Sequence, residues 1–189
     1  SDLVRISGFS HGTNVWLDNA QDLIKNGTCK LNEAISTRDD VMNFLIHRGM
    51  DRKHSFFVME NVRKGKGIEK RNKQGQATTE FEAEMRENNI PEWFIESCKK
   101  ISYLFPRAHA VAYVMMAFRI AWFKVYHPLA FYAAYFSIRA KAFDLRIMTG
   151  DLKTQLTEFN RIKALDRAAS PKDKDLMSAL EVSMEMYQR

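Results

Sequence analysis

A long apolar run between two prolines, Pro106 and Pro128, constrains the fold most strongly. Pro106 suits the first turn of a helix, where its missing N–H would be unpaired anyway, and Pro128 stops or kinks the helix. At about 100° per residue, His109 and Tyr113 belong to one polar stripe, whereas the other sides of the helix are apolar. The run therefore predicts one long buried helix over residues 106–127, with its polar groups densest at the N-terminal end.

The rest of the chain also has the pattern of helices. Its 189 residues include only 8 glycines and 4 prolines, which argues against a turn-rich all-β fold. No stretch of useful length alternates apolar and polar residues, and helical periodicity recurs between capping and stop signals. The sequence predicts an all-α fold of roughly nine or ten helices.

Charge and cysteine content limit the class of function. The net charge of +6 and the pI near 9.3 favour contact with a polyanion without establishing it. Cys29 and Cys98 lie far apart, and no Cys/His spacing fits a zinc site. Because no disulfide is indicated, a reducing cytoplasm is the default location.

A membrane span is not expected. The apolar run is interrupted by Arg119, Lys124 and Pro128, whereas a span needs about 20 consecutive apolar residues. No signal peptide is recognised either, because residues 1–15 are polar and contain two glycines.

The first candidate binding stretch is residues 62–67, with three cations, Arg63, Lys64 and Lys66, within four positions. Its two glycines let the backbone bend tightly. A phosphate or nucleic-acid contact is one interpretation. The other is that cations at a helix C-terminus complement the helix dipole. The spacing is not that of a P-loop.

The second candidate stretch is residues 105–113, at the start of the long helix. Arg107 and His109 lie where a helix N-terminus favours anions, so a phosphate-bearing ligand is the first interpretation. The simpler alternative is a satisfied core histidine with Tyr113 packed one turn later. These residues alone do not decide function.

Two further motifs can each be interpreted either as part of a binding site or as a helix cap. Residues 7–13 could form a loop that presents Ser10 and His11 to a ligand, or an entry loop that caps a helix over 14–26. Asp39 and Asp40 invite a metal-site interpretation, but adjacent acids at a helix start more often cap it. No metal site is predicted.

Five motifs occur together in a fixed order, and they carry a resemblance to a known family. The motifs are residues 7–16, 38–40, 59–67, 90–93 and 105–113. In this order and near this spacing, the chain resembles the fingers region of the bacterial replicative DNA polymerase III alpha subunit, PolC type. The likeness covers essentially the whole chain, and the string around His109 is its most specific part.

The resemblance implies that the chain binds the incoming deoxynucleoside triphosphate (dNTP) and the nascent base pair. The implied nucleotide-binding residues are Arg63, Lys64, Lys66, Arg107, His109 and Tyr113, with Arg38 and Arg48 as weaker candidates. The implied base or inhibitor pocket, where guanine-like inhibitors of this family act, includes Ser10, His11 and Phe105. Position 107 is Arg where Lys is usual in the family, which keeps the charge but changes the geometry.

The resemblance also implies what the chain does not hold. The catalytic carboxylates of the family belong to the palm, so Mg²⁺ is expected on palm residues outside this chain, and the chain alone is expected to be inactive. The implied partners are primer–template DNA, the palm and remaining domains of the same polymerase, and a sliding clamp reached through parts outside this chain.

The predicted domain organisation follows from the same comparison. Residues 1–165 are predicted to be the fingers domain, with 68–79 as an exposed loop longer than the family link. Residues 166–189 are predicted to be a linker and a C-terminal helix leading toward a DNA-binding module. The chain starts without Met and lacks that module, so we expect it to be cut from a longer protein.

A different class remains as the alternative: a stand-alone basic helical domain that binds nucleic acid or acts as an adaptor. Such a domain would spread its cations over one exposed face. The clustering of cations at two separate helix ends favours the polymerase interpretation.

Overall fold

The computed structural model describes residues 2–188, and this range is all-α. Eleven α-helices are present within it, which confirms the predicted class and slightly exceeds the predicted number. They are α1 (Asp2–His11), α2 (Gln21–Lys25), α3 (Arg38–His47), α4 (Arg52–Val62), α5 (Phe81–Glu87), α6 (Glu92–Lys100), α7 (Arg107–Tyr126), α8 (Pro128–Ala134), α9 (Leu145–Met148), α10 (Leu152–Ala164) and α11 (Pro171–Tyr187). Short helical turns lie at Tyr135–Arg139 and Asp166–Ala168, whereas Trp16–Ala20 is an irregular turn with non-helical backbone angles at Leu17, Asp18 and Asn19.

The chain forms two compact units, one ending at Ala117 and the other beginning at Phe118. In the first unit, α3 packs on α4, around a core that includes Val15, Ile35, Leu45, Val58, Met85, Phe94, Ile95 and Leu104. In the second unit, α10 packs on α11, around Met148, Ile162, Ala179 and Leu180. The predicted boundary between the fingers domain and the C-terminal segment, at residue 165, is not tested by this division into units and stays a prediction.

Asp39 and Asp40 both accept N–H groups at helix starts, and this positions the first unit. Asp40 Oδ2 accepts the N–H groups of Ser36 (3.0 Å) and Thr37 (2.8 Å) ahead of α3. Asp39 instead accepts the N–H of Arg107 at the start of α7 (2.7 Å). The capping interpretation is therefore confirmed for Asp40, whereas Asp39 bonds to the start of a helix far along the chain.

The predicted loop over residues 7–13 is wrong for most of its length, because α1 continues through His11. Gly8 is needed there for close packing and not for a turn, since a Cβ at this position would lie 2.7 Å from the Ser36 carbonyl oxygen. The predicted helix over 14–26 is also wrong in its first half. Asn14 and Asp18 have positive φ values of 56°, which break the helix before α2.

In the loop over residues 68–79, residues 70–78 are exposed, whereas Ile68 is buried in the core of the first unit. The loop is internally ordered by hydrogen bonds. Asn72 Oδ1 accepts the N–H groups of Gln74 (3.0 Å) and Gln76 (2.9 Å), and Thr78 N–H donates to the Lys70 carbonyl (2.7 Å). The segment therefore folds back on itself as a tight turn beside α5.

The long helix lies where the sequence places it, but the prediction that it is buried is wrong for this chain. Ala110 is the buried residue of α7, whereas Phe118 and Tyr126 are 60% and 65% exposed. A helix that is apolar all round normally indicates burial. The described residues do not supply the surface that would cover it.

The length and composition of α7 would also allow it to cross a membrane. One such helix is weak support for a span, because the core helix of a larger soluble protein passes the same test. The expectation of no membrane span stays a prediction.

Candidate functional site

A cluster of rings lies at the start of α7. The His109 ring stacks on Phe105, with centroids 4.7 Å apart and planes 20° apart, and Tyr113 lies one turn further at 4.7 Å. His11, at the end of α1, brings its ring to 5.3 Å from His109 and 4.7 Å from Tyr113. Tyr103 contacts Phe105 at 4.9 Å. We call these five residues the ring cluster.

The position of His11 in the ring cluster is fixed by its own helix. His11 Nδ1 lies 2.6 Å from the Ser7 carbonyl oxygen, and a carbonyl can only accept, so Nδ1 carries a proton. In the neutral ring the Nε2 atom is then an acceptor. Ser10 Oγ donates to the same carbonyl (2.9 Å) and lies 3.3 Å from His11 Nδ1. Ser10 and His11 thus lie side by side at the end of α1, and their part in a base or inhibitor pocket stays a prediction.

The start of α3 fixes the start of α7 through two hydrogen bonds, one between backbone groups and one from a backbone N–H to a side chain. Arg38 N–H donates to the Phe105 carbonyl (3.0 Å), and Arg107 N–H donates to Asp39 Oδ2 (2.7 Å). A carboxylate of the chain itself therefore takes the first N–H of α7. An anionic ligand near this helix end would depend on the side chains of Arg107, which is exposed, and His109, which is half-buried.

The end of α4 packs on the segment that leads into the ring cluster. The Arg63 carbonyl accepts the N–H of Leu104 (3.2 Å). Gly65 has a φ of +66°, and a Cβ there would lie 2.5 Å from the Ser102 carbonyl oxygen, so only glycine allows this approach. The basic stretch over 62–67 and the ring cluster are therefore joined through residues 102–105, which contact both.

Two cations of the basic stretch share one carboxylate. Arg63 donates to Glu60 from Nε and from Nη2, the latter at 2.9 Å, and Lys64 Nζ lies 2.9 Å from Glu60 Oε2. Arg63 and then Lys64 hold the pKa of the Glu60 carboxyl at about 2, against an ordinary value of 4.5. The hydrogen bond with the Glu60 carboxylate in turn raises the pKa of Arg63. Lys66 is exposed.

Arg48 is not brought to the ring cluster. It follows the last residue of α3, so about 15 Å of helix separates it from Arg38 at the other end. Its guanidinium donates to the Asn89 carbonyl (3.1 Å) and lies over the Phe44 ring at 5.2 Å. Arg38, which is half-buried, lies at the ring-cluster end of α3.

Two residues of the site, Glu60 and Tyr103, were not predicted from the sequence. The bond of Asp39 to the start of α7 was not predicted either. Glu60 lies three and four positions before Arg63 and Lys64, a spacing that brings side chains together on a helix and could have indicated the pair. The contacts of Tyr103 and Asp39 join segments distant in sequence, and no local pattern reports them.

The carboxylates near the site do not fit a Mg²⁺ ion. Asp39 caps α7, Asp40 caps α3 and Glu60 holds two cations. Across residues 2–188, no group of three or more His, Cys, Asp or Glu side chains is arranged to hold a metal ion. No chemical step is therefore assigned to a metal on these residues.

Comparison with known proteins identifies close relatives over the full chain. A family model described as the bacterial DNA polymerase III alpha subunit finger domain matches residues 1–89. The protein named DNA polymerase III PolC-type is 54% identical over 188 residues in Caldanaerobacter subterraneus subsp. tengcongensis, 55% over 192 in Thermotoga maritima and 51% over 189 in Bacillus subtilis. Each alignment covers 100% of this chain but only 12–13% of the relative.

Proposed function

Because this chain belongs to the PolC-type family of bacterial DNA polymerase III, in its fingers region, we propose that it binds the triphosphate of the incoming dNTP in a replicative DNA-directed DNA polymerase. The observation that carries the proposal is the meeting of two basic stretches at one short segment. Residues 102–105 contact the end of α4 and lead into α7, so the backbone of the basic stretch meets the segment that holds Tyr103 and Phe105 just before Arg107.

This arrangement suits nucleotidyl transfer. In that reaction the 3′ hydroxyl of the primer attacks the α-phosphate, and negative charge accumulates on the departing pyrophosphate. Lys64, Lys66, Arg107 and a protonated His109 supply positive charge for that group. Palm residues outside this chain would hold the Mg²⁺ ions of the polymerase, which when bound would activate the attacking hydroxyl and stabilise the leaving oxygen.

The rings give the site a face for the nascent base pair. Tyr113 is exposed on α7 beside His109 and His11. An exposed aromatic ring can stack on a base irrespective of its sequence. Ser10, His11 and Phe105 complete the proposed pocket for the base. Primer–template DNA is the second proposed ligand.

The remaining domains of the same polymerase are the proposed partner of the second unit. Its surface contains an apolar cleft of about 670 Å³ lined by Ile120, Phe123, Phe131, Tyr135 and Ile138, among others. The relatives contain roughly eight times as much sequence as this chain covers, and this further sequence is the proposed source of the covering surface. The polymerase works in the cytoplasm, and it reaches the sliding clamp through other parts.

Single-nucleotide incorporation by the full-length polymerase tests the proposal. The variants are Lys64→Ala, Arg107→Ala and His109→Ala, with Lys53→Ala at the other end of α4 and His47→Ala at the other end of α3 as controls. Loss of a charge contact in the transition state should lower the rate about 10²-fold, with primer–template affinity nearly unchanged and the controls close to wild type.

The opposite pattern would reject the site. If the rate holds while primer–template affinity falls, these cations bind the nucleic-acid backbone. The chain would then still belong to the family, but its basic stretches would not bind the triphosphate.

A further inference from the structure

Glu60 is the acidic residue in contact with the proposed triphosphate site whose role the proposed function leaves open. Its carboxylate accepts both donors on one edge of the Arg63 guanidinium and also the Lys64 ammonium. Arg63 is 22% exposed and Lys64 is 44% exposed. The contact therefore lies at the surface, where a ligand can reach it.

We infer that Glu60 is a positioning residue that weakens the hold of Lys64 and Arg63 on phosphate groups, and so sets the affinity of the site for the departing pyrophosphate. The inference rests on the proposed function and adds to it a residue of opposite charge. A phosphate group that binds Lys64 must compete with the Glu60 carboxylate for the same ammonium.

The charges support this inference. Arg63 and Lys64 together carry two positive charges, and Glu60 cancels one of them. The carboxylate takes one donor from Nε and one from Nη2 of Arg63, so three of the five guanidinium donors do not bond to Glu60. Lys64 has three donors on a flexible chain, so its ammonium can move from the carboxylate to a phosphate.

The strength of the contact suits an exchangeable partner. Ion pairs made by exposed lysines are weak, and Lys64 is 44% exposed, so a polyanion can displace the Glu60 carboxylate from its ammonium. The pair with Arg63 is less exposed, since the Arg63 and Glu60 side chains are 22% and 20% exposed. A site without Glu60 would bind pyrophosphate more tightly, and a product held more tightly leaves more slowly. Product release often limits the turnover of an enzyme. By weakening the binding of pyrophosphate, the Glu60 carboxylate would speed its release.

Inhibition of the full-length polymerase by inorganic pyrophosphate is the test. Glu60→Gln keeps the shape of the side chain and removes its charge. It should lower the inhibition constant about 1.5- to fivefold, the range expected when an exposed ion-pair partner is removed. Glu60→Ala should change the constant in the same direction, and Lys64→Ala should reduce the effect of Glu60→Gln when the two are combined.

The chain offers a matched control in its second unit. Glu158 holds Arg161 through the same three-residue spacing and the same two donors, at 2.8 and 2.7 Å. Glu158→Gln makes the same change in net charge and should leave the pyrophosphate inhibition constant unaltered. An equal effect from Glu158→Gln would show that net charge alone is responsible and would overturn the inference.

The outcomes separate this inference from the proposed function. If Lys64→Ala weakens pyrophosphate binding but Glu60→Gln does not strengthen it, the inference is wrong and the proposed site stands. If Lys64→Ala has no effect on pyrophosphate or dNTP binding, the basic stretch does not face the phosphates, and the proposed function fails at this residue.

Discussion

Arg63 and Lys64 of the proposed site contact a residue of opposite charge, Glu60. This contact determines the protonation state of Glu60. Arg63 and Lys64 hold its pKa at about 2, below the ordinary 4.5. A carboxyl whose pKa is lowered by folding contributes stability that is complete above its unfolded pKa and disappears as the pH falls through its folded pKa. Because its folded pKa is about 2, Glu60 keeps its charge at neutral pH.

This fixed charge gives a prediction about pH. The ratio of pyrophosphate inhibition constants between wild type and Glu60→Gln should stay constant from about pH 6 to pH 9, because Glu60 does not titrate there. The same inhibition assay at several pH values measures it. A ratio that changes about tenfold across this range would mean that another titrating group controls the effect.

The sequence gives part of this residue-scale picture. His109 and Tyr113 are four positions apart on one helix, so their contact follows from periodicity. The arrival of His11 does not, because α1 and α7 are separated by most of the first unit. Arg48 is the opposite case: it was predicted to lie at the site, but it contacts Asn89 and Phe44 instead.

Helix starts and ends position these side chains, and Asp39 joins two helices. Because Asp39 takes the N–H of Arg107, Asp39→Ala should loosen the first turn of α7, at a cost of about 0.5–2 kcal/mol typical of a lost cap. Amide hydrogen exchange in the full-length polymerase should become faster at residues 107–110.

Asp151→Ala is the matched control, because Asp151 caps α10 by accepting the Thr154 N–H at 2.7 Å. It should speed exchange at the start of α10 and leave residues 107–110 unchanged. Unaltered exchange at residues 107–110 in Asp39→Ala would show that Asp39 does not hold the start of α7.

The end of α4 gives a second prediction, based on the close approach of Gly65 to Ser102. Gly65→Ala should be more damaging than Gly67→Ala, although both positions have positive φ, at 66° and 74°. A Cβ at Gly65 would lie 2.5 Å from a backbone oxygen, whereas nothing lies within 4 Å at Gly67. dNTP affinity of the two variants measures the difference, and equal losses would mean that backbone strain alone matters.

At this scale, helices with clear caps could be predicted and packing-dependent segments could not. Asp51 and Asp151 mark the starts of α4 and α10, as the capping pattern indicates. Residues 7–13 look like a loop because of their glycines. Gly8, however, is required for contact with Ser36 inside a helix, and contact with a distant segment has no local signal.

The whole chain leaves a broad apolar surface on its second unit. If the rest of the polymerase covers this surface, Trp122 should be protected in the full-length protein. Trp122 is 50% exposed here and Trp16 is 36% exposed, so burial by other domains should reverse their order. Oxidative footprinting with mass spectrometry measures both side chains in one sample.

The opposite order of modification would contradict the proposed covering by the same polypeptide. Protection of Trp122 only after lipid vesicles are added would indicate a membrane surface as the partner.

The apolar character of α7 could be predicted from sequence, but its environment could not. An apolar run indicates that a helix needs cover, and it does not indicate which part of a protein supplies the cover. The expectation of a buried helix assumed that this chain contains both surfaces. The relatives, of which the chain covers 12–13%, show how much sequence is available to provide the other surface.

The central claim is that the triphosphate of the incoming nucleotide binds between the end of α4 and the start of α7. A dNTP with a photoreactive group on its γ-phosphate, bound to the full-length polymerase with primer–template DNA, tests this claim most directly. Mass spectrometry of the irradiated protein should find the label on residues 63–67 or 105–113, and unlabelled dNTP should suppress it. A competable label confined to other parts of the polymerase would contradict the account.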